Sequence, residues 1–316
     1  MSGDSHSTTM PDVPSRTHVE PLVRELIGAN PERWVPVFEG GYTPAARWIA
    51  TWRDGRSAFI KAAFQSEHST GLALEGLVCE HGSASCLPRF YGYMEAAEAQ
   101  HDGQRVQVLI TEDLSGARWG VPLVAEDARA LAVALDELAT VPVPTGVPSQ
   151  RFPSRWIGFA DDPHRLAKTG LAPEAWIEAH APALAAAEAA AEQEGSALTH
   201  WDLWLQNWCR ADRGAVLVDW SACGRANIMV SRAWGEAGIR AAGGPPGHVL
   251  AGEPAWAAWM AGHAAEFLAG TRGVPQRLVE TQRREAMASL AWACEELQLP
   301  VPEPSPGFHP GWPWRP

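Results

Sequence analysis

The chain carries one stretch whose residue types and spacing could do chemistry together. His200-Trp201-Asp202-Leu203-Trp204-Leu205-Gln206-Asn207 has the pattern H-x-D-x-x-x-x-N, and soon after it the apolar run Ala215-Val216-Leu217-Val218 delivers Asp219. Moving a phosphoryl group from a nucleoside triphosphate asks for such a set. It needs a carboxylate close to the attacking hydroxyl, and oxygen ligands for one or two magnesium ions on the phosphates. Asp202 can accept or orient the hydroxyl proton, and Asn207 and Asp219 can ligate the metal. An Asp at the end of a buried strand loses little entropy when it is positioned. His200 is expected to brace the loop by hydrogen bonds and not to titrate in the reaction. Alone, an Asp after an apolar strand is ordinarily a turn residue; the joint spacing is the specific signal.

A nucleotide site of this kind also needs a strand lysine held by a helix carboxylate. Lys61 lies in the apolar stretch Phe59-Ile60-Lys61-Ala62, where a charge is costly unless paired. Glu75, in Leu72-Ala73-Leu74-Glu75-Gly76-Leu77, is its expected partner, with Glu80 second; the competing reading leaves Lys61 as an exposed strand residue. Gly40-Gly41 falls on the strand before the lysine strand, where two glycines could bring backbone N–H groups close to phosphates.

The elements that must position these residues can be read from their periods. Leu22, Val23, Leu26 and Ile27 give a helix over 17–29, and residues 70–81 a second. The runs 47–53 and 57–62 around Asp54-Gly55 make a hairpin, and 90–94 and 106–111 are two more strands. The first third is therefore a small antiparallel sheet with one inserted helix. Helices are expected at 125–139, 173–194, 254–270 and 274–298, with a strand pair near 207–209 and 215–218. Ala242-Gly243-Gly244-Pro245-Pro246-Gly247 reads as a mobile loop on the acceptor side. Strands followed by helices imply an α+β chain. The expected organisation is a disordered 1–16, a nucleotide-binding lobe at 17–113, a helical lobe at 115–300 and an irregular Pro/Trp-rich tail at 301–316.

Composition narrows the function classes. A formal net charge of -12 argues against a phosphate-backbone binder, so no nucleic-acid partner is expected. It suits a cationic substrate without requiring one. The five cysteines include no C-x-x-C pair, which points to reduced, buried thiols in a cytoplasmic protein. The polar start has no apolar core of a secretion signal, and no apolar run is long enough to span a membrane. A monomer or weak dimer is expected, because no heptads stand out.

At this point the residues resemble a known family. Phe38-Glu39-Gly40-Gly41-Tyr42-Thr43, Phe59-Ile60-Lys61, Leu109-Ile110-Thr111-Glu112-Asp113-Leu114, His200-x-Asp202-x-x-x-x-Asn207 and Val218-Asp219-Trp220 stand in the order found in the aminoglycoside phosphotransferase and choline-kinase-like superfamily. The resemblance covers about residues 20–300. It implies a two-lobed protein-kinase-like fold, with a small antiparallel β-sheet lobe carrying one helix and a larger, mainly helical lobe. It further implies that Asp202 is the base, that Asn207 and Asp219 hold Mg2+, and that Lys61 contacts the phosphates with Glu75 as its partner. Residues 111–114 would be a hinge, where the Glu112 carbonyl and the Leu114 N–H hold the base of ATP or GTP. The acceptor would be a small hydroxylated molecule.

The chain departs from the family pattern in three places. It has Trp201 where relatives often have Gly, Gln206 where many have a small or polar residue before the Asn, and no acidic residue between Asp219 and Glu236, where relatives often have one. Trp201, Trp204 and Trp208 either pack the loop onto the helical lobe or offer a stacking surface to the acceptor. Two other function classes compete with the kinase reading: a nucleotide-binding pseudokinase with a regulatory role, and a Trp-rich carbohydrate-binding protein without chemistry.

Overall fold

A computed structural model describes residues 13–38, 45–64, 70–96, 105–270 and 276–305. Gly40 and Gly41 lie outside these residues, as do most of the expected disordered start and most of the expected tail. The chain divides into two compact units. The first comprises 1–82, 88–116 and 219–221; the second comprises 83–87, 117–218 and 222–316.

The first unit contains α1 (Arg16–Ile27), β1 (Arg33–Pro36), β2 (Ala46–Thr51), β3 (Ser57–Phe64), α2 (Thr70–His81), β4 (Phe90–Glu95) and β5 (Val106–Glu112). Its sheet runs β1-β2-β3-β5-β4 with every neighbour antiparallel. The β2–β3 turn closes at Asp54-Gly55: Trp52 N donates to Arg56 O at 2.9 Å, and Gly55 adopts φ +83°, which its missing side chain permits. The period of two decides which residues serve the core and which serve the site. Ala58, Ile60, Ala62 and Phe64 of β3 pack with Val106, Val108 and Ile110 against Val19 and Val23 of α1. The alternate face carries Lys61 and Ala63, and Ala63 packs with Leu109 against Leu72 of α2. β1 is a four-residue edge strand that the sequence reading did not anticipate.

The second unit contains α3 (Ala125–Leu138), α4 (Trp156–Asp161), α5 (Pro163–Ala167), α6 (Glu174–Glu188), β6 (Ala197–His200), β7 (Trp208–Ala211), β8 (Gly214–Leu217), β9 (Cys223–Ala226), α7 (Met229–Ala241), α8 (Pro254–Ala269) and α9 (Gln276–Leu297). β6 pairs with β9 and β7 with β8, both antiparallel. Among the described residues no helix is long and apolar enough to cross a membrane.

Two local readings of the sequence are corrected here. α6 stops at Glu188 and not near 194. Beyond it, Gln193 exchanges side-chain bonds with the backbone of Phe152 (2.7 and 3.1 Å), and its carbonyl takes Asn227 N at 2.9 Å, so tertiary partners replace helical ones. α7 forms where no helix was expected, and it carries Gly235 and Gly238. Both permit close approach: a Cβ on Gly238 would lie 3.1 Å from Leu203 O. The expected loop at 242–247 lies outside helix and strand, and its end is anchored. The fully buried Glu236 carboxylate accepts from Arg240 and from the backbone N–H of Gly247 (2.7 Å), Val249 and Leu250.

Candidate active site

Two groups of side chains carry the candidate chemistry, one in each unit. In the first unit, Lys61 Nζ donates to Glu75 Oε2 at 2.7 Å and to Asp219 Oδ1 at 2.8 Å. Lys61 is 5% exposed and Glu75 6%, so this is a buried ion pair and not an exposed strand lysine. Burial alone would pull the Lys61 ammonium down; the Glu75 and Asp219 charges outweigh it and hold the group above its ordinary value, fully charged. Glu80, the second choice of partner, points to solvent beside His81 with a side chain 55% exposed.

Asp219 itself sits at φ 60°, a left-handed conformation that costs a non-glycine residue about 1–2 kcal/mol. Ser221 Oγ donates to Asp219 Oδ1 at 2.8 Å and helps hold that turn. Arg47 lies directly opposite Lys61 in the β2–β3 register, on the same face of the sheet, and its positive charge favours the ionised form of Glu75. Glu112 ends β5, and its carboxylate accepts from Arg89 N; Leu114 follows two residues later and is buried. Between them Asp113 is opposed by burial yet held below the usual carboxylate range by bonds from Ser115 and Ser57.

In the second unit, the 200–207 segment is a closed hydrogen-bond circuit. Asn207 Nδ2 donates to Asp202 at both its carbonyl (2.6 Å) and its carboxylate Oδ2 (3.0 Å). Asp202 N donates to His200 Nδ1 at 3.2 Å, and His200 Nε2 faces Val218 O at 2.9 Å. A carbonyl can only accept, so the imidazole is in its Nε2–H form and braces the loop, as its sequence context implied. Val218 N donates to Asn207 O at 2.8 Å, which ties the strand before Asp219 to the same circuit. Ser231 of α7, fully buried, accepts from His200 N at 2.8 Å and ties that helix to the loop.

Packing accounts for two of the three tryptophans: Trp204 and Trp208 are buried, and Trp204 meets Trp234 edge to face. Trp201 is half-buried.

Each unit offers a hard oxygen donor: the second the amide oxygen of Asn207, whose nitrogen is committed to Asp202, and the first the carboxylate of Asp219. Hard oxygen ligands of this kind favour Mg2+ over thiol- or imidazole-seeking metals. The sequence reading missed Glu285 on α9. Burial, and then the negative charge of Asp202, push its carboxyl well above the usual range. Within Gln282-Arg283-Arg284-Glu285 it looks like part of a solvated helix face, so no sequence signal marked it.

The fold is that of kinase-like small-molecule phosphotransferases. It matches an amicoumacin kinase solved with AMP-PNP, Ca2+ and Ami (TM-score 0.55, 11% identity, covering 94% of this chain and 97% of that one). It also matches a candidate aminoglycoside phosphotransferase from Ralstonia eutropha JMP134 (0.52, 11%, 90% and 98%) and a choline/ethanolamine kinase family protein from Mesorhizobium loti (0.50, 15%, 89% and 95%). No protein-family model matches the chain, and no curated protein matches it in sequence.

Proposed function

We propose that this protein is a small-molecule kinase that transfers the γ-phosphoryl group of ATP to a hydroxyl of a small acceptor. The observation that supports this most is the meeting of Lys61 and Asp219. They are 158 residues apart, were singled out on separate grounds, and lie 2.8 Å from one another. A buried lysine between two carboxylates adds little stability over an apolar core, so its presence argues for a task. That task is to place a cation against nucleotide phosphates.

Each residue then has a role. Asp202 accepts the proton of the acceptor hydroxyl, and Asn207 fixes the direction of its carboxylate. His200 holds the loop beneath them. Glu112 and Leu114 present backbone groups to the adenine. Mg2+, held by Asn207 and Asp219, would neutralise charge on the phosphates. ATP is preferred to GTP because the amicoumacin kinase that shares this fold was solved with an adenine nucleotide analogue and a divalent cation. The acceptor class is a hydroxylated small molecule.

The test is a nucleotide-coupled screen of aminoglycosides, macrolides, choline, amino sugars and hydroxy-amino acids, paired with thermal shift by Mg-ATP. Asp202→Ala should lower turnover by roughly 100- to 10,000-fold while the Mg-ATP shift persists. Wild-type turnover in that variant sinks the assignment. Nucleotide binding without turnover on any acceptor would favour the pseudokinase reading.

A further inference from the structure

We infer that Trp201 and Gly224 are a matched pair that positions Asp202, a role that rests on Asp202 being the base. β6 ends at His200, but the ladder runs one rung further: Trp201 N donates to Ala222 O at 2.9 Å. Asp202 is therefore the first residue to leave the sheet, and its direction of departure is set by how Trp201 is seated.

The seat is built on β9. Thr199 faces Gly224 in the register, and Trp201, two residues beyond Thr199, shares its face of the strand pair. The indole lies across Gly224. A Cβ at 224 would be 1.7 Å from one ring carbon and 2.2 Å from another, a distance no small adjustment relieves. Indole Nε1 donates to Thr199 Oγ1 at 2.8 Å, and that hydroxyl donates to Gly224 O at 2.9 Å. The ring of Phe152 stands edge-on to Trp201 at 5.4 Å and packs in turn against Trp259 and His263. The indole is thus fixed by a ladder bond, a side-chain bond, a glycine floor and an aromatic wall. Trp201 and Gly224 are positioning residues; neither needs to touch the reacting atoms.

The test compares Gly224→Ala, Trp201→Ala and the double variant. It uses Mg-ATP thermal shift, kcat and KM for ATP with an acceptor from the screen, and hydrogen-exchange protection of the Asn207 side-chain NH2 by NMR. Gly224→Ala displaces the indole and should lower kcat on the order of 100-fold, with KM for ATP within about twofold of wild type. Trp201→Ala frees the loop and should lower kcat by about 10-fold. The double variant should match Trp201→Ala alone, so that removing the indole rescues the glycine substitution. Protection of the Asn207 amide should fall and recover in the same order.

Wild-type kcat and Asn207 protection in Gly224→Ala overturn the inference, as does a double variant worse than Gly224→Ala. If Gly224→Ala does not fold, an Asn207 amide unchanged in Trp201→Ala overturns it, and a loss of protection there supports it. If the wild type phosphorylates no acceptor, the kinase reading fails, and the Asn207 amide alone decides whether the pair positions Asp202.

Discussion

At the scale of single residues, the candidate chemistry depends on a few charges that are expensive to leave alone. Lys61 satisfies two carboxylates at once. Lys61→Met should therefore cost about 3–5 kcal/mol, because it leaves Glu75 buried and uncompensated. Urea unfolding should show this, and adding Glu75→Gln should recover part of the loss. The same variant should abolish the Mg-ATP thermal shift, whereas Asp202→Ala should not. This residue pair was legible in the sequence for the reason that now makes it fragile: a lysine in an apolar strand requires a partner, and the next helix offered one. Trp201 and Glu285 were not legible. What each does depends on a residue far away in the chain, Gly224 in one case and Asp202 in the other.

At the scale of elements, buried polar groups decide where helices start and stop. The Glu188 carboxylate, at the end of α6, accepts from Ser154 Oγ and from the backbone N–H of Arg155 and Trp156, at the first turn of α4. Glu188→Ala leaves these donors without an acceptor and should destabilise the protein by about 2–3 kcal/mol in urea unfolding, with Glu188→Gln losing less. His263 on α8 lies among Phe152, Trp234, Trp259 and Phe267, and its Nδ1 has no hydrogen-bond partner. Burial, and then the positive charge of Arg155, hold its pKa down at about 3. The unfolded chain protonates this residue near pH 6.5 and the folded one does not, so its contribution is present in full above about 6.5. It is lost as pH falls, by about 1.4 kcal/mol per unit, across the window down to about 3. His263→Phe should remove that slope, and the difference between wild type and variant in urea unfolding should change between pH 7.5 and pH 5.

At the scale of the whole molecule, all five cysteines are buried and none is joined in a disulfide. Burial pushes the Cys86 thiol to about 12 and the Cys294 thiol to about 11, far from the thiolate form that reacts. The native protein should leave a thiol-disulfide reagent essentially uncoloured over minutes, and the same protein in denaturant should titrate five thiols. Rapid reaction of the native protein would show that the core opens far more readily than its packing implies.

Residue types and their spacing pointed to the proposed reaction and gave the broad order of the elements. Phosphoryl transfer constrains residue types at short spacings, as in His200-x-Asp202-x-x-x-x-Asn207, and long helices and hairpins announce themselves by period. Tertiary structure alone decided the rest. β6 and β9 are four residues each, too short to show a period, and exist because they pair with one another. α7 exists because its glycines meet Leu131 and the 200–207 loop. The tryptophan beside Asp202 lies across Gly224, a residue with no side chain to signal its purpose.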